Sequence, residues 1–107
     1  MKLTLEGIKD RKVWEEAGIS LPSYDVGAVA EATRKKPVWV HFGAGNIFRI
    51  FIGGIADVLI AQGVSDRGIT CAETFDFDVI EKIYRPYDNL VLGVTLKADG
   101  STDKKVI

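Results

Sequence analysis

The chain has 107 residues, 47% of them hydrophobic and 27% charged, with a formal net charge of -1. That length gives room for one domain with one modest core. The balanced charge, with no basic block and no acidic tail, argues against a nucleic-acid footprint or a polybasic membrane patch. A single cysteine, Cys71, rules out an internal disulfide, and with only one histidine beside it a structural zinc site lacks ligands. The default expectation is an intracellular, cytoplasmic, metal-free protein.

Residues 1–36 read as a polar helical and loop lead-in. Met1 to Glu6 lacks the apolar core of a secretory signal. Asp10 to Ala17 predicts a short helix stopped by Gly18. Leu21-Pro22-Ser23-Tyr24-Asp25 is a turn, with Asp25 as N-cap of a second helix that runs to Lys35 and is ended by Lys36-Pro37.

The pattern changes at Pro37. Val38-Trp39-Val40-His41-Phe42 is a short run of β-formers with both faces largely apolar, as expected of a central parallel strand covered by helices. Gly43-Ala44-Gly45-Asn46 follows, and then an apolar helix to about Gln62, with Asn46 as its expected N-cap and Gly63 at its C-terminal cap. The apolar stretch from Ile47 to Ala61 falls short of the ~20 residues a spanning helix needs, and it contains Arg49, Asp57 and Gly53-Gly54. A buried helix of an α/β protein explains it better. Ile69 to Glu73 predicts a second strand, and Phe77 or Asp78 to Tyr84 a second helix closed by Pro86. From Leu90 the period becomes two, with Leu90, Leu92, Val94 and Leu96 forming one uniformly apolar face. Ala98 to Ser101 is a turn, and Thr102 to Ile107 starts a return strand. With no partner evident for that strand, the sequence predicts a domain continued elsewhere. Trp14, Trp39 and the phenylalanines read as core or packing residues.

The fold class expected is therefore α/β: a partial doubly wound (Rossmann) parallel sheet with a β-hairpin at the C-terminal end. Residues 37–107 are the N-terminal part of a dinucleotide-binding domain. Its chemistry centres on Gly43-Ala44-Gly45, set between a strand and a helix. A pyrophosphate must approach backbone N–H groups closely. Gly43 permits the sharp turn out of the strand, Gly45 removes the Cβ that would obstruct the phosphates, and the helix mouth offers unpaired N–H groups and the positive end of its dipole. The usual third glycine is replaced by Phe48, so the alternative of an ordinary strand-to-helix turn that binds nothing stays open.

Glu73 ends the second predicted strand, 28 residues after Gly45. A carboxylate there can accept both ribose hydroxyls of an adenosine half, and it would repel a 2′-phosphate. Thr74-Phe75-Asp76-Phe77-Asp78 offers no basic residue, so NAD is favoured over NADP. A solvated strand end is the plainer reading of Glu73, and Asp76 is the second candidate. Arg49, a cation in the first turn of an apolar helix, opposes the helix dipole. It contacts a phosphate or a substrate carboxylate, or it forms a structural ion pair. His41 is read as a hydrogen-bonded core residue.

Val40-His41-Phe42-Gly43-Ala44-Gly45-Asn46-Ile47-Phe48-Arg49 resembles the N-terminal fingerprint of the long-chain mannitol dehydrogenase family, which includes mannitol dehydrogenases and the fructuronate and tagaturonate reductases. That pattern is G-x-G with an arginine six residues after the first glycine, here Arg49, and with the third glycine often replaced. Leu21-Pro22-Ser23-Tyr24-Asp25, Leu90-Val91-Leu92-Gly93 and Asp99-Gly100 are similar to further parts of it. The resemblance implies a cofactor site at Gly43, Ala44, Gly45, Asn46, Ile47, Phe48, Arg49 and Glu73. It also implies metal-free, NAD-linked interconversion of a secondary alcohol and its ketone in a sugar alcohol or sugar acid. The family's general base is a lysine in an all-helical C-terminal domain that nothing here matches, so no catalytic residue is expected in this chain and it should be inert alone. Two other classes compete: a non-catalytic NAD-sensing or regulatory domain, and an α/β interaction domain without a ligand. No nucleic-acid or membrane partner is expected, and oligomeric state is open.

Overall fold

The computed structural model describes residues 1–107. Local signals in the lead-in act as expected. Helix α1 spans Arg11–Glu16 and is followed by Gly18 at φ +72°. Asp25 caps helix α2, Val26–Lys35, by accepting the Ala28 N–H at 3.0 Å. Satisfying one of the orphan donors of a helix start in this way stabilises it by about 1 kcal/mol.

Two short strands, β2 (Val40–Phe42) and β3 (Thr70–Ala72), pair in parallel with His41 opposite Cys71. Between them lies one continuous helical stretch, wound as a π-helix over Ile47–Ile52 and as α3 over Gly53–Ala61, with Gly63 at φ +74° beyond its end. This is a β-α-β unit, the connection that parallel strands require. Sequence periodicity gave no warning of the π-wound segment, a form often found at functional sites. The next helix also departs from α geometry. A single turn of α4, Phe77–Val79, passes into a π-turn, Ile80–Tyr84, and a 3₁₀ turn, Arg85–Tyr87. Pro86 therefore sits inside the helical stretch, in the first positions of its 3₁₀ turn, instead of closing it. The stop comes from Asp88 and Asn89, both left-handed at φ 52° and 63°.

The hairpin forms as expected, with β4 (Leu92–Leu96) antiparallel to β5 (Thr102–Val106). Neither strand joins β2 and β3. Instead β5 pairs in parallel with a two-residue strand β1, Ile19–Ser20, giving a separate sheet of order β1-β5-β4. The return strand is thus paired on both edges. The core lies where this sheet meets the lead-in: Trp14, 3% exposed, packs with Ile19, Leu21, Leu90 and the fully buried Val106. The Trp14 indole N–H donates to the Gly7 carbonyl at 2.9 Å.

Several expected burials do not occur. Val40 and Phe42 are exposed, Phe42 by 72%, because β2 has a single neighbouring strand and nothing covers that face of the pair. The β2 strand is therefore an edge, not a covered central strand. Trp39, Phe51, Phe75 and Phe77 are exposed as well, so packing is the role of Trp14 and not of these residues. Of the alternating face, only Leu90 is buried. Leu92, Val94 and Leu96 point to solvent, and the buried residue of β4 is Gly93.

The buried charge of the fold is Asp57 on α3, 2% exposed. It accepts the Tyr24 hydroxyl at 2.7 Å and pairs with Lys105 of β5. One carboxylate thereby joins the lead-in turn, the β-α-β helix and the hairpin. Burial, and then the bond to Asp57, push the Tyr24 phenol far above its ordinary range and keep it a donor. No helix is long and apolar enough to cross a membrane.

Candidate functional site

The site candidates gather at the C-terminal ends of the two parallel strands, the edge where open α/β sheets place ligands. Gly43 leaves β2 with φ +108°, a conformation that L side chains rarely adopt. Its own N–H continues the ladder to the Ala72 carbonyl at 2.8 Å, so that amide is not available to a ligand. Gly45 is different. Its φ is ordinary, and a Cβ built there would meet no atom within 4 Å. Neither backbone strain nor crowding within the chain requires glycine at this position.

Beyond Gly45 the helix begins. The N–H groups of Gly45, Asn46, Ile47 and Phe48 have no acceptor in the chain, while the Arg49 N–H closes the first turn onto the Gly45 carbonyl at 3.0 Å. Four free donors at the positive end of a helix form an anion-accepting mouth. Asn46 does not cap it. Asn46 is itself in helical conformation (φ -60°, ψ -39°), and its side-chain oxygen accepts from the Arg49 guanidinium. The sequence expectation failed because a cap needs an extended backbone at that residue. Ile47 is exposed beside the mouth, and Phe48, in place of a third glycine, stacks on His41 with ring centroids 4.7 Å apart.

Arg49 forms no ion pair with a carboxylate. Its guanidinium donates to the Ala44 carbonyl at 2.8 Å and lies 5.8 Å from the centre of the Tyr84 ring. The half-buried cation beside the mouth is thus not neutralised by any acidic side chain. His41 is hydrogen-bonded, as expected of a packing residue: its Nδ1 lies 3.1 Å from the Gly43 carbonyl, which also accepts from the Cys71 thiol at 3.2 Å.

Glu73 sits beside the glycine turn, on it more than beyond it. One carboxylate oxygen accepts the Ala44 N–H at 3.0 Å, and the other accepts the N–H groups of Thr74, Phe75 and Asp76 at 3.0, 3.1 and 3.4 Å. Ala44 is wholly buried beneath it. The Ala44 amide first, and the following backbone amides with it, hold the Glu73 carboxyl below its ordinary value near 4.5. A depressed folded pKa contributes stability that is present above the ordinary carboxylate range and is lost as pH falls through the folded value. Glu73→Gln is therefore expected to flatten the acid limb of the stability curve, measured as urea midpoints from neutral pH down to about pH 3. An unchanged acid limb would contradict this coupling of the two strand ends. Asp76, the second candidate for the ribose, is exposed, and its side chain makes no hydrogen bond.

A cavity of about 540 Å³ lies between α2, α3 and the segment around Tyr84. Arg49, Cys71 and Tyr84 reach it, whereas Gly43, Ala44, Gly45 and Glu73 do not. The mouth opens on the outer surface. Sequence reasoning missed Tyr84, whose buried hydroxyl donates to the Ala44 carbonyl at 2.8 Å from 40 residues away. The Tyr-Arg pairing carries no sequence signature.

Fold and site together describe a β-α-β unit with an open helix mouth and a carboxylate at the neighbouring strand end. Over all 107 residues the chain is 47% identical to a D-mannonate oxidoreductase of Thermotoga maritima, and it spans 20% of that protein's length. No protein-family model and no solved structure matches it.

Proposed function

We propose that residues 37–107 form the N-terminal part of a Rossmann-type dinucleotide-binding domain of the mannitol dehydrogenase kind, with residues 1–36 as its lead-in. The activity it serves is NAD-linked interconversion of a secondary alcohol in a polyol or aldonate and its ketone. The observation that carries this reading is the mouth itself: four free N–H groups at Gly45 to Phe48, and a missing side chain at Gly45 that the chain's own packing does not call for. That space is what a pyrophosphate needs in order to reach the backbone. Whole-chain similarity to an oxidoreductase acting on D-mannonate favours a sugar acid as substrate class.

When bound, the nicotinamide dinucleotide supplies the hydride acceptor or donor. This chain's residues bind and orient it. The amides of Gly45, Asn46, Ile47 and Phe48 take the pyrophosphate oxygens, and Arg49 adds positive charge beside them. The Glu73 carboxylate, its pKa depressed and so ionised at neutral pH, accepts ribose hydroxyls with its remaining lone pairs and disfavours a 2′-phosphate. No catalytic role falls to any of the 107 residues.

Calorimetric titration of the chain with NAD and with NADP tests the reading. The expected result is measurable NAD binding, weaker NADP binding, and no turnover of D-mannonate by the chain alone. Absence of any NAD binding at millimolar concentration, or tighter binding of NADP, would sink it.

A further inference from the structure

Two consecutive peptide groups of the glycine turn are held from several sides. In the Gly43–Ala44 peptide, His41 Nδ1 and Cys71 Sγ engage the carbonyl, and the N–H donates to Glu73. In the Ala44–Gly45 peptide, the carbonyl accepts from both the Arg49 guanidinium and the Tyr84 hydroxyl, each at 2.8 Å. Only one polar group of the two peptides is left without a partner: the Gly45 N–H.

A trans peptide is planar, so its N–H points opposite to its C=O. Fixing the Ala44 carbonyl toward Tyr84 and Arg49 aims the Gly45 N–H away from them, at an exposed residue where an added Cβ would also meet no atom within 4 Å. Two donors on one carbonyl, one of them cationic, also polarise the peptide and strengthen its N–H as a donor. Tyr84 is buried, and its hydroxyl donates to this carbonyl.

We propose that Tyr84 is a positioning residue for anion binding at the turn: through the Ala44 carbonyl it holds and polarises the Gly45 amide that meets a diphosphate oxygen. The inference rests on the dinucleotide reading above and adds to it a residue outside the glycine motif. Burial raises the Tyr84 phenol above its ordinary value, so it stays a hydrogen-bond donor across the physiological range.

The test uses the 107-residue chain with ADP-ribose as the diphosphate probe and NMR as the readout, comparing wild type, Tyr84→Phe, and a protein carrying 3-fluorotyrosine at position 84. In the free protein, Tyr84→Phe should move the Ala44 carbonyl and Gly45 amide resonances together. Its ADP-ribose affinity should fall about fivefold, the size of one lost hydrogen bond, while the Asn46 to Phe48 amides still respond to the probe. The more acidic fluorophenol, at a pH where it is still protonated, should shift the same two resonances the opposite way and tighten binding. A purely space-filling role would leave the fluorinated protein unchanged. If Tyr84→Phe does not fold, the near-isosteric fluorotyrosine protein decides alone. Wild-type responses at Gly45 to Phe48 with unaltered affinity in the folded variants overturn the positioning role and leave the dinucleotide reading standing. No response at those amides in wild type removes the dinucleotide reading, and this inference with it.

Discussion

Gly45→Val is expected to leave the fold unchanged and to weaken dinucleotide binding by about tenfold or more, equivalent to ~1.4 kcal/mol or above. The two glycines of the turn differ in what they require of a side chain. Gly43 has a backbone conformation at φ +108° that a side chain resists, so any loss of binding on its replacement would mix strain with occlusion. Gly45 has an ordinary φ and empty space where its Cβ would stand. A valine there projects into solvent in the free chain and into the ligand's path in the complex. Urea midpoint and NAD affinity, measured on the same preparation, separate the possibilities. A matching midpoint with weakened binding is expected. A matching midpoint with unaltered binding would mean that no ligand approaches this amide.

The largest stability effect is expected at Trp14. Trp14→Ala removes the biggest side chain of a small core, together with the indole bond to the Gly7 carbonyl. Truncations of this kind cost about 3–5 kcal/mol, a large share of the ~5–15 kcal/mol that holds a typical domain together. The variant should be largely unfolded or strongly shifted in urea, as followed by far-UV circular dichroism. Phe75→Ala is the control, since Phe75 is 90% exposed and its loss should change stability by less than about 0.5 kcal/mol. Equal effects of the two substitutions would contradict the placement of the core around Trp14, Ile19, Leu21, Leu90 and Val106.

What was legible in the sequence was local. Asp25 as a helix cap, Gly18 and Gly63 as stops, the turn before Thr102, and the strand-glycine-helix order at Gly43 each follow from preferences within a few residues. What was not legible depended on partners far along the chain. The pairing of Ile19 with Lys104 joins residues 85 positions apart and leaves no periodic trace in a two-residue strand. In the sequence Asp57 counted only against a membrane span, yet Tyr24 and Lys105 make it the buried joint of three elements. Period-two alternation correctly predicted a strand at Leu92–Leu96, but alternation cannot say which face finds a partner, and here the apolar one does not.

The same division runs through the site. The glycines, Arg49 and Glu73 were legible as types suited to an anion. Their bonds were not: Glu73 grips the Ala44 amide, Arg49 the Ala44 carbonyl, and Asn46 binds Arg49 instead of capping the helix. These contacts turn a flexible glycine corner into one with a single outward donor at Gly45, backed by the helix mouth.

A crystal structure of the chain soaked with NAD addresses the central claim most directly. Pyrophosphate oxygens within about 3.2 Å of the Gly45, Asn46 or Ile47 nitrogens, with Glu73 close to the adenosine ribose, is the predicted result. A dinucleotide seated instead in the cavity between α2 and α3, with the helix mouth still facing bulk water, would contradict the account.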